Sequence, residues 1–229
     1  MLVLGHRGAS ASFPENTLAA FRGALDQGAD GVELDVRRTA DGGLALRHDA
    51  ELPDGRRLVD VLSSGLPPDV PQLGEALDAC QAMRLVNVEL KNWPADVDFD
   101  PEERLADQVV AVLDDLGRRA DEHLLVTSFH EPTVERVRAL APTLPTGVLV
   151  INADEPEALV ARVAEAGHRA LHPHHLFVTE ELVELAHAAG LALSTWTVDD
   201  PDRIRWLREI GVDAVIVNDP AAALRALGR

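Results

Sequence analysis

Polar side chains repeat at a spacing of two in runs that are otherwise apolar. Gly31-Val32-Glu33-Leu34-Asp35-Val36 holds two carboxylates, and Val88-Glu89-Leu90-Lys91 holds a carboxylate and a lysine. On a β-strand, residues two apart share one face. Glu33 and Asp35 then point one way while Val32, Leu34 and Val36 point the other; Val88 and Leu90 do the same around Glu89. Three carboxylates and a lysine brought together away from water are costly unless a cation neutralises them. A divalent metal is the economical answer. All-oxygen ligation by Glu33, Asp35 and Glu89 points to a hard ion, one Mg²⁺ or Ca²⁺, rather than Zn²⁺. The competing reading is a salt-bridge network among Glu33, Asp35, Glu89, Arg7 and Lys91.

Two histidines stand near these runs, His6 in Gly5-His6-Arg7-Gly8 and His48 in Leu46-Arg47-His48-Asp49. An imidazole with a pKa of about 6.5 can give or take a proton near neutrality, so the two are candidates for an acid–base pair. His172 is left open between core and site. His174 and His175 read as rim structure. His123, His130, His168 and His187 are expected on surface loops or helices. Pro14-Glu15-Asn16-Thr17 reads as a helix start, where free N–H groups can also meet an anion. Trp196, Trp93 and Phe13 wall a pocket or pack. Cys80 has no His–Asp partners nearby and reads as packing.

The elements that must carry these residues alternate. Strands are expected at 2–5, 31–36, 85–90, 124–129, 147–151, 169–172, 191–198 and 214–218. Amphipathic helices lie between them. Leu18, Phe21 and Leu25 form one apolar stripe before Gly28, and Leu105, Val109, Val112, Leu113 and Leu116 form another before Gly117. Asp200-Pro201 and Asp219-Pro220 pair a capping carboxylate with a proline suited to a first turn. Alternation implies a parallel sheet with right-handed crossovers. Eight repeats predict an α/β fold closed as a (βα)8 TIM barrel, one domain over 1–229. A short insertion follows the second strand, with a turn at Asp41-Gly42-Gly43 and an extended Leu44-Ala45-Leu46. In such barrels chemistry sits at the C-terminal ends of the strands. His6, Glu33, Asp35, Glu89, Lys91 and Trp196 all fall there.

Composition narrows the function further. The chain has 229 residues and 39 acidic against 21 basic side chains, a formal charge of −18. That surface repels phosphate backbones and anionic bilayers, so no nucleic-acid binding and no stable membrane association are expected. One cysteine excludes an internal disulfide framework, and no apolar run reaches the ~18 residues of a transmembrane helix. The start has no signal-peptide pattern, so a cytoplasmic setting is expected. Glycine-rich dinucleotide, P-loop and nucleophile-elbow motifs are missing. The basic residues are 20 Arg and a single Lys, Lys91.

Taken in order, Gly5-His6-Arg7-Gly8, Pro14-Glu15-Asn16-Thr17, Gly31-Val32-Glu33-Leu34-Asp35-Val36, His48-Asp49, Val88-Glu89-Leu90-Lys91 and Trp196-Thr197-Val198 closely resemble the glycerophosphodiester phosphodiesterase family. The resemblance runs from His6 to Asn218-Asp219-Pro220. It implies a TIM barrel that hydrolyses glycerophosphodiesters, small soluble molecules, to glycerol 3-phosphate and an alcohol. It implies metal ligation by Glu33, Asp35 and Glu89 and acid–base work by His6 and His48. It implies phosphate contacts from Arg7 and Lys91 and an aromatic wall from Trp196 at the glycerol side. The nucleophile is either water or the neighbouring glycerol hydroxyl, through a cyclic phosphate. Many members have Thr-Asp where this chain has Val217-Asn218, which leaves the role of Asn218 open. Two alternatives stand beside this reading. One is phospholipase D-like action on lysophospholipids, which would need an apolar platform that residues 37–72 do not offer. The other is a non-catalytic phosphate-binding barrel.

Overall fold

The computed structural model describes residues 1–229, and strand and helix alternate through it from end to end. In chain order the elements are β1 (Leu2–His6), α1 (Leu18–Asp26), β2 (Gly31–Arg38), β3 (Leu44–Leu46), α2 (Leu73–Ala79), β4 (Leu85–Leu90), α3 (Arg104–Asp115) and β5 (Leu124–Ser128). They continue with α4 (Glu131–Leu140), β6 (Thr146–Val150), α5 (Pro156–Glu165), β7 (Ala170–Pro173), α6 (Glu180–Ala188), β8 (Ala192–Thr195), α7 (Pro201–Glu209), β9 (Ala214–Val217) and α8 (Pro220–Ala226). The sheet runs β1-β9-β8-β7-β6-β5-β4-β2-β3, and an additional β1–β2 pairing closes eight of these strands into a parallel barrel. The predicted (βα)8 architecture is the one observed.

The ninth strand comes from the insertion. β1 pairs with β2 only as far as His6 opposite Glu33. Beyond that point β3 runs antiparallel along β2, with Val36 opposite Leu46 and Arg38 opposite Leu44. The Asp41-Gly42-Gly43 turn makes this hairpin, and Gly42 takes a φ of 82° that L side chains rarely adopt. β4 occupies the other edge of β2 through Val36–Leu90. So β3 fills the place that β1 vacates, and His48, two residues beyond it, returns to the barrel mouth.

Alternation sorts the side chains as expected. Val32, Leu34, Val36, Val88 and Leu90 face outward and pack with Phe21, Leu73, Leu77, Leu105, Val109 and Leu113 of the helices. Each such fully buried side chain contributes about 1.5–3 kcal/mol. A second cluster does the same across the far wall, with Leu171, Leu193, Val215 and Val217 against Leu182, Ile204 and Leu207. Inside, Leu4, Ala214 and Ile216 form an apolar floor. Helix starts also follow the sequence. Thr17, Asp200 and Asp219 each accept a hydrogen bond from a backbone N–H of the first turn. Cys80 ends α2 rather than lying within it, and burial pushes its thiol up to about 12, which fits packing.

Two expectations need correction. The strand foreseen at 191–198 is continuous only over Ala192–Thr195; beyond it Trp196 keeps a single parallel bridge to His174, and Val198 N–H donates to Ile216 O. His168, expected at the surface, is buried and its Nδ1 lies 2.8 Å from the Thr146 hydroxyl, a bond that ties the loop between α5 and β7 to β6.

Candidate functional site

Strand register assembles the carboxylates. Across β2 and β4, Asp35 lies beside Glu89, and Glu33 sits one inward-facing position deeper, beside Asn87. His6 of β1 is level with Glu33. The ligand oxygens of Glu33, Asp35 and Glu89 all lie within 4.8 Å of one another, and all three residues are buried. Glu33 Oε1 is buried with no hydrogen-bond donor at all. A divalent cation fits this donor set: three oxygens converge, and one has no other partner.

Cationic side chains border the cluster. Lys91 Nζ donates to Glu89 Oε1 at 2.8 Å and lies 3.6 Å from Asp35 Oδ1. Arg7 places Nε 3.1 Å from Asp35 Oδ2 and donates from Nη1 to Glu15 at 2.7 Å. The chain reverses here through left-handed Arg7 (φ 57°) and Gly8 (φ 87°). A Cβ on Gly8 would come 2.5 Å from the backbone of Ala20, so only glycine fits. The turn aims the Arg7 N–H at Glu33 Oε2, 3.0 Å away.

The three carboxyls differ in their electrostatics. Burial pushes Glu33 well above the usual carboxylate range, and Asp35 and Glu89 push the same way. Burial raises Glu89 too, against the pull of Lys91. Asp35 ends lower than usual, because Lys91, Arg7 and His48 together outweigh its burial. Burial is opposed at Lys91 by Glu89 and Asp35, which raise it and keep it charged.

His6 and His48 both line the cavity beside the cluster. His6 Nδ1 is 2.8 Å from Asn218 Oδ1 and its Nε2 is 4.0 Å from Glu33 Oε2. Burial, aided by Arg7, lowers its pKa, so it is neutral at pH 7. His48 Nδ1 pairs with Asp49 at 2.9 Å. A small inner cavity of about 70 Å³ is lined by His6, Arg7, Glu33, Glu89, Lys91 and Trp196 among others. An outer groove of about 650 Å³ opens beyond it, and His48, Lys91 and Phe129 line both.

All eight predicted site residues therefore meet around one cavity, Asp35 just behind it. Several residues that sequence reasoning passed over meet there too. Arg37 is buried, donates to Asp96 and Asp98, and donates from Nε to the His48 carbonyl. It continues the same two-residue spacing as Glu33 and Asp35, which would have found it. Asn16, quoted only as part of a helix start, is buried with a φ of 56° and bonds Asp35 in both directions. Phe129 follows the C-terminal end of β5 and packs edge-on against Trp93 and Trp196. Trp93 and Trp196 are thus walls of the mouth, whereas Phe13 covers Gly23 on α1. Asn218 lies in the site, against His6.

Known proteins share this arrangement of chain. A curated glycerophosphodiester phosphodiesterase from Caldanaerobacter subterraneus subsp. tengcongensis is 31% identical, with 96% of this chain and 94% of that protein covered. A phosphodiesterase from Oleispira antarctica, solved in complex with its product sn-glycerol-3-phosphate, superposes with a TM-score of 0.86 at 27% identity, covering 100% of this chain and 97% of that one. The glycerophosphodiester phosphodiesterase of Thermotoga maritima gives 0.81 at 28%, covering 100% and 98%. The family model described as Glycerophosphoryl diester phosphodiesterase family matches residues 6–65 and 57–222, which together take in every residue of the site. This chain belongs to the glycerophosphoryl diester phosphodiesterase family.

Proposed function

We propose that this protein hydrolyses small glycerophosphodiesters to glycerol 3-phosphate and an alcohol, with one Mg²⁺ or Ca²⁺ held by Glu33, Asp35 and Glu89. The observation that carries the reading is the convergence of those buried carboxylates at a cavity also lined by two histidines and two cations. The family's activity and the product bound to the Oleispira antarctica relative support it. When bound, the ion supplies positive charge beside the phosphoryl oxygens.

Arg7 and Lys91 add their own charge to those oxygens, where negative charge builds as the reaction proceeds. His6 is neutral and takes the proton of the attacking hydroxyl at Nε2. The new P–O bond forms as the bond to the alcohol breaks; where the glycerol hydroxyl is the attacker, a water then adds to the cyclic phosphate and breaks its new bond to give glycerol 3-phosphate. His48 lines both the inner cavity and the outer groove, so it stands where the alcohol departs and gives it a proton. Trp196 walls the glycerol end.

The small inner cavity suits a deacylated glycerol head. The outer groove carries exposed Trp93, Val97 and Ile151 and suits a bulky alcohol. These apolar residues come from the ends of β4, β6 and the loop after β4, not from residues 37–72. The test is release of glycerol 3-phosphate from glycerophosphocholine with added Mg²⁺ or Ca²⁺, with lysophosphatidylcholine in parallel. No release from any glycerophosphodiester with either ion overturns the reading. Faster turnover of lysophosphatidylcholine moves it to phospholipase D-like action.

A further inference from the structure

The contact between His6 Nδ1 and Asn218 Oδ1 does not by itself fix where a proton sits. An imidazole nitrogen donates or accepts, and an amide can present either end. Asn218 has a further partner that removes the choice. Its Nδ2 lies 2.5 Å from Asp199 Oδ2, and its backbone N–H donates to Asp199 Oδ1 at 2.8 Å. An ionised carboxylate only accepts. The amide nitrogen must therefore face Asp199, and the amide oxygen must face His6.

The same oxygen receives the Ser10 hydroxyl at 3.0 Å. A carbonyl oxygen has two lone pairs, so it takes both bonds. His6 Nδ1 must then carry a hydrogen, and the lone pair is left on Nε2, the nitrogen that points towards Glu33. Asp199 is exposed and borders neither the inner cavity nor the outer groove, yet it determines which end of the histidine is basic.

We propose that Asp199 and Asn218 are positioning residues that lock His6 in the Nδ1–H tautomer, with Asp199 setting the direction of every hydrogen bond in the chain Asp199–Asn218–His6. The consequence for turnover rests on the reading of His6 as the base; the lock itself does not.

Each link can be reversed by one atom. In Asp199→Asn, the new oxygen keeps the bond from the Asn218 backbone N–H, and the new amide nitrogen faces the Asn218 side chain as a donor. Asn218 must turn its oxygen towards residue 199. Its nitrogen then donates to Ser10 and to His6 Nδ1, and the proton moves to Nε2. Every group still has a partner, so the fold should hold while the tautomer inverts. Asn218→Asp instead sets two carboxylates 2.5 Å apart and breaks the chain. The double variant Asp199→Asn/Asn218→Asp exchanges amide and carboxylate: residue 199 donates, residue 218 accepts from His6 Nδ1, and the lock is restored.

The experiment reads the tautomer of His6 by ¹⁵N NMR of the imidazole, assigned by its loss in His6→Ala, alongside kcat and KM on glycerophosphocholine. We expect Nδ1–H in the wild type and Nε2–H in Asp199→Asn, with kcat down about 100-fold, the size of a lost proton-transfer group, and KM nearly unchanged. The double variant should regain both the Nδ1–H signal and most of kcat. An Asp199→Asn protein that keeps the Nδ1–H signal, or a double variant no better than the single ones, overturns the lock. An inverted tautomer with undiminished kcat would uphold the lock and overturn the base assignment of His6.

Discussion

Asn16 and Asp35 hold each other by two hydrogen bonds that run in opposite directions. Asn16 Nδ2 donates to Asp35 Oδ2 at 2.8 Å, and the Asp35 backbone N–H donates to Asn16 Oδ1 at 3.1 Å. The left-handed backbone at Asn16, which asparagine tolerates better than most residues, turns the side chain inward. Partners behind a metal ligand orient it, and losing one costs about 10- to 100-fold in metal affinity. Asn16→Ala should therefore weaken binding of Mg²⁺ or Ca²⁺ by that factor in calorimetric titration. Asn16→Gly keeps the backbone geometry and should weaken it equally. A glycine variant with wild-type affinity would mean that the bonds to Asp35 do not matter.

Metal binding should release protons. Burial and the neighbouring carboxylates hold Glu33 above its usual range, so it is protonated at pH values where an ordinary glutamate is not. Ligation needs the ionised form. Affinity should thus rise with pH, and titrations in buffers of different ionisation enthalpy should give different apparent heats. Identical heats in all buffers would argue against Glu33 as a ligand. Turnover should vanish in excess chelator and return with the ion.

Removal of either imidazole should be catalytic rather than structural. His6→Ala and His48→Ala should each lower kcat about 100-fold or more. Both sit at the mouth, away from the two apolar clusters, so circular dichroism should stay native. Near wild-type turnover in either variant would remove that histidine from the mechanism.

Lys91 is the only lysine among 21 basic residues, and its ammonium fits between Glu89 and Asp35. A guanidinium is broader and planar and would crowd both carboxylates. Lys91→Arg should lose roughly tenfold to 100-fold in kcat, the scale of a misplacement near 1 Å, and bind metal more weakly despite its charge. Lys91→Met reports the charge alone. An arginine variant as active as the wild type would make the lone lysine an accident of composition.

His172 should make the fold acid-sensitive. It is fully buried, neither ring nitrogen has a partner, and burial lowers its pKa to about 4. The unfolded chain takes up a proton near pH 6.5, while the folded protein refuses it until about pH 4. Stability from this group is present above 6.5 and lost as pH falls towards 4. A drop of that size is worth about 3 kcal/mol at about 1.4 kcal/mol per pH unit. Urea unfolding at pH 7.5 and 4.5 should show His172→Leu losing less stability between the two than the wild type. Equal losses would show that His172 is not the group responsible.

The barrel and its acidic cluster were legible because two periodicities coincide in the sequence. Glu33 and Asp35 interrupt an apolar strand at a spacing of two, and helix stripes follow at 3.6. His48 was legible as a residue type but not as a position, since its place depends on β3 pairing back onto β2. Arg37 fell one residue past the strand expected at 31–36, whereas β2 runs on to Arg38 and gives it the face of Glu33 and Asp35. Asn16, Phe129 and Asn218 lie beyond local pattern: each acts through a partner at least 19 residues away, and no periodicity encodes such a pairing. His168 shows the opposite error, a polar residue after a helix that tertiary packing buries.

β1 has β2 on one side and β9 on the other. The three converging carboxylates and both imidazoles belong to residues 6–89, whereas the amide that meets His6 is 212 positions beyond it. Chains leave the ribosome N-terminus first. A nascent chain could gather Glu33, Asp35 and Glu89 early, yet it holds His6 in no defined orientation until the last strand emerges and zips into the gap. The orientation of His6 is then acquired in one step, with the closing of the barrel.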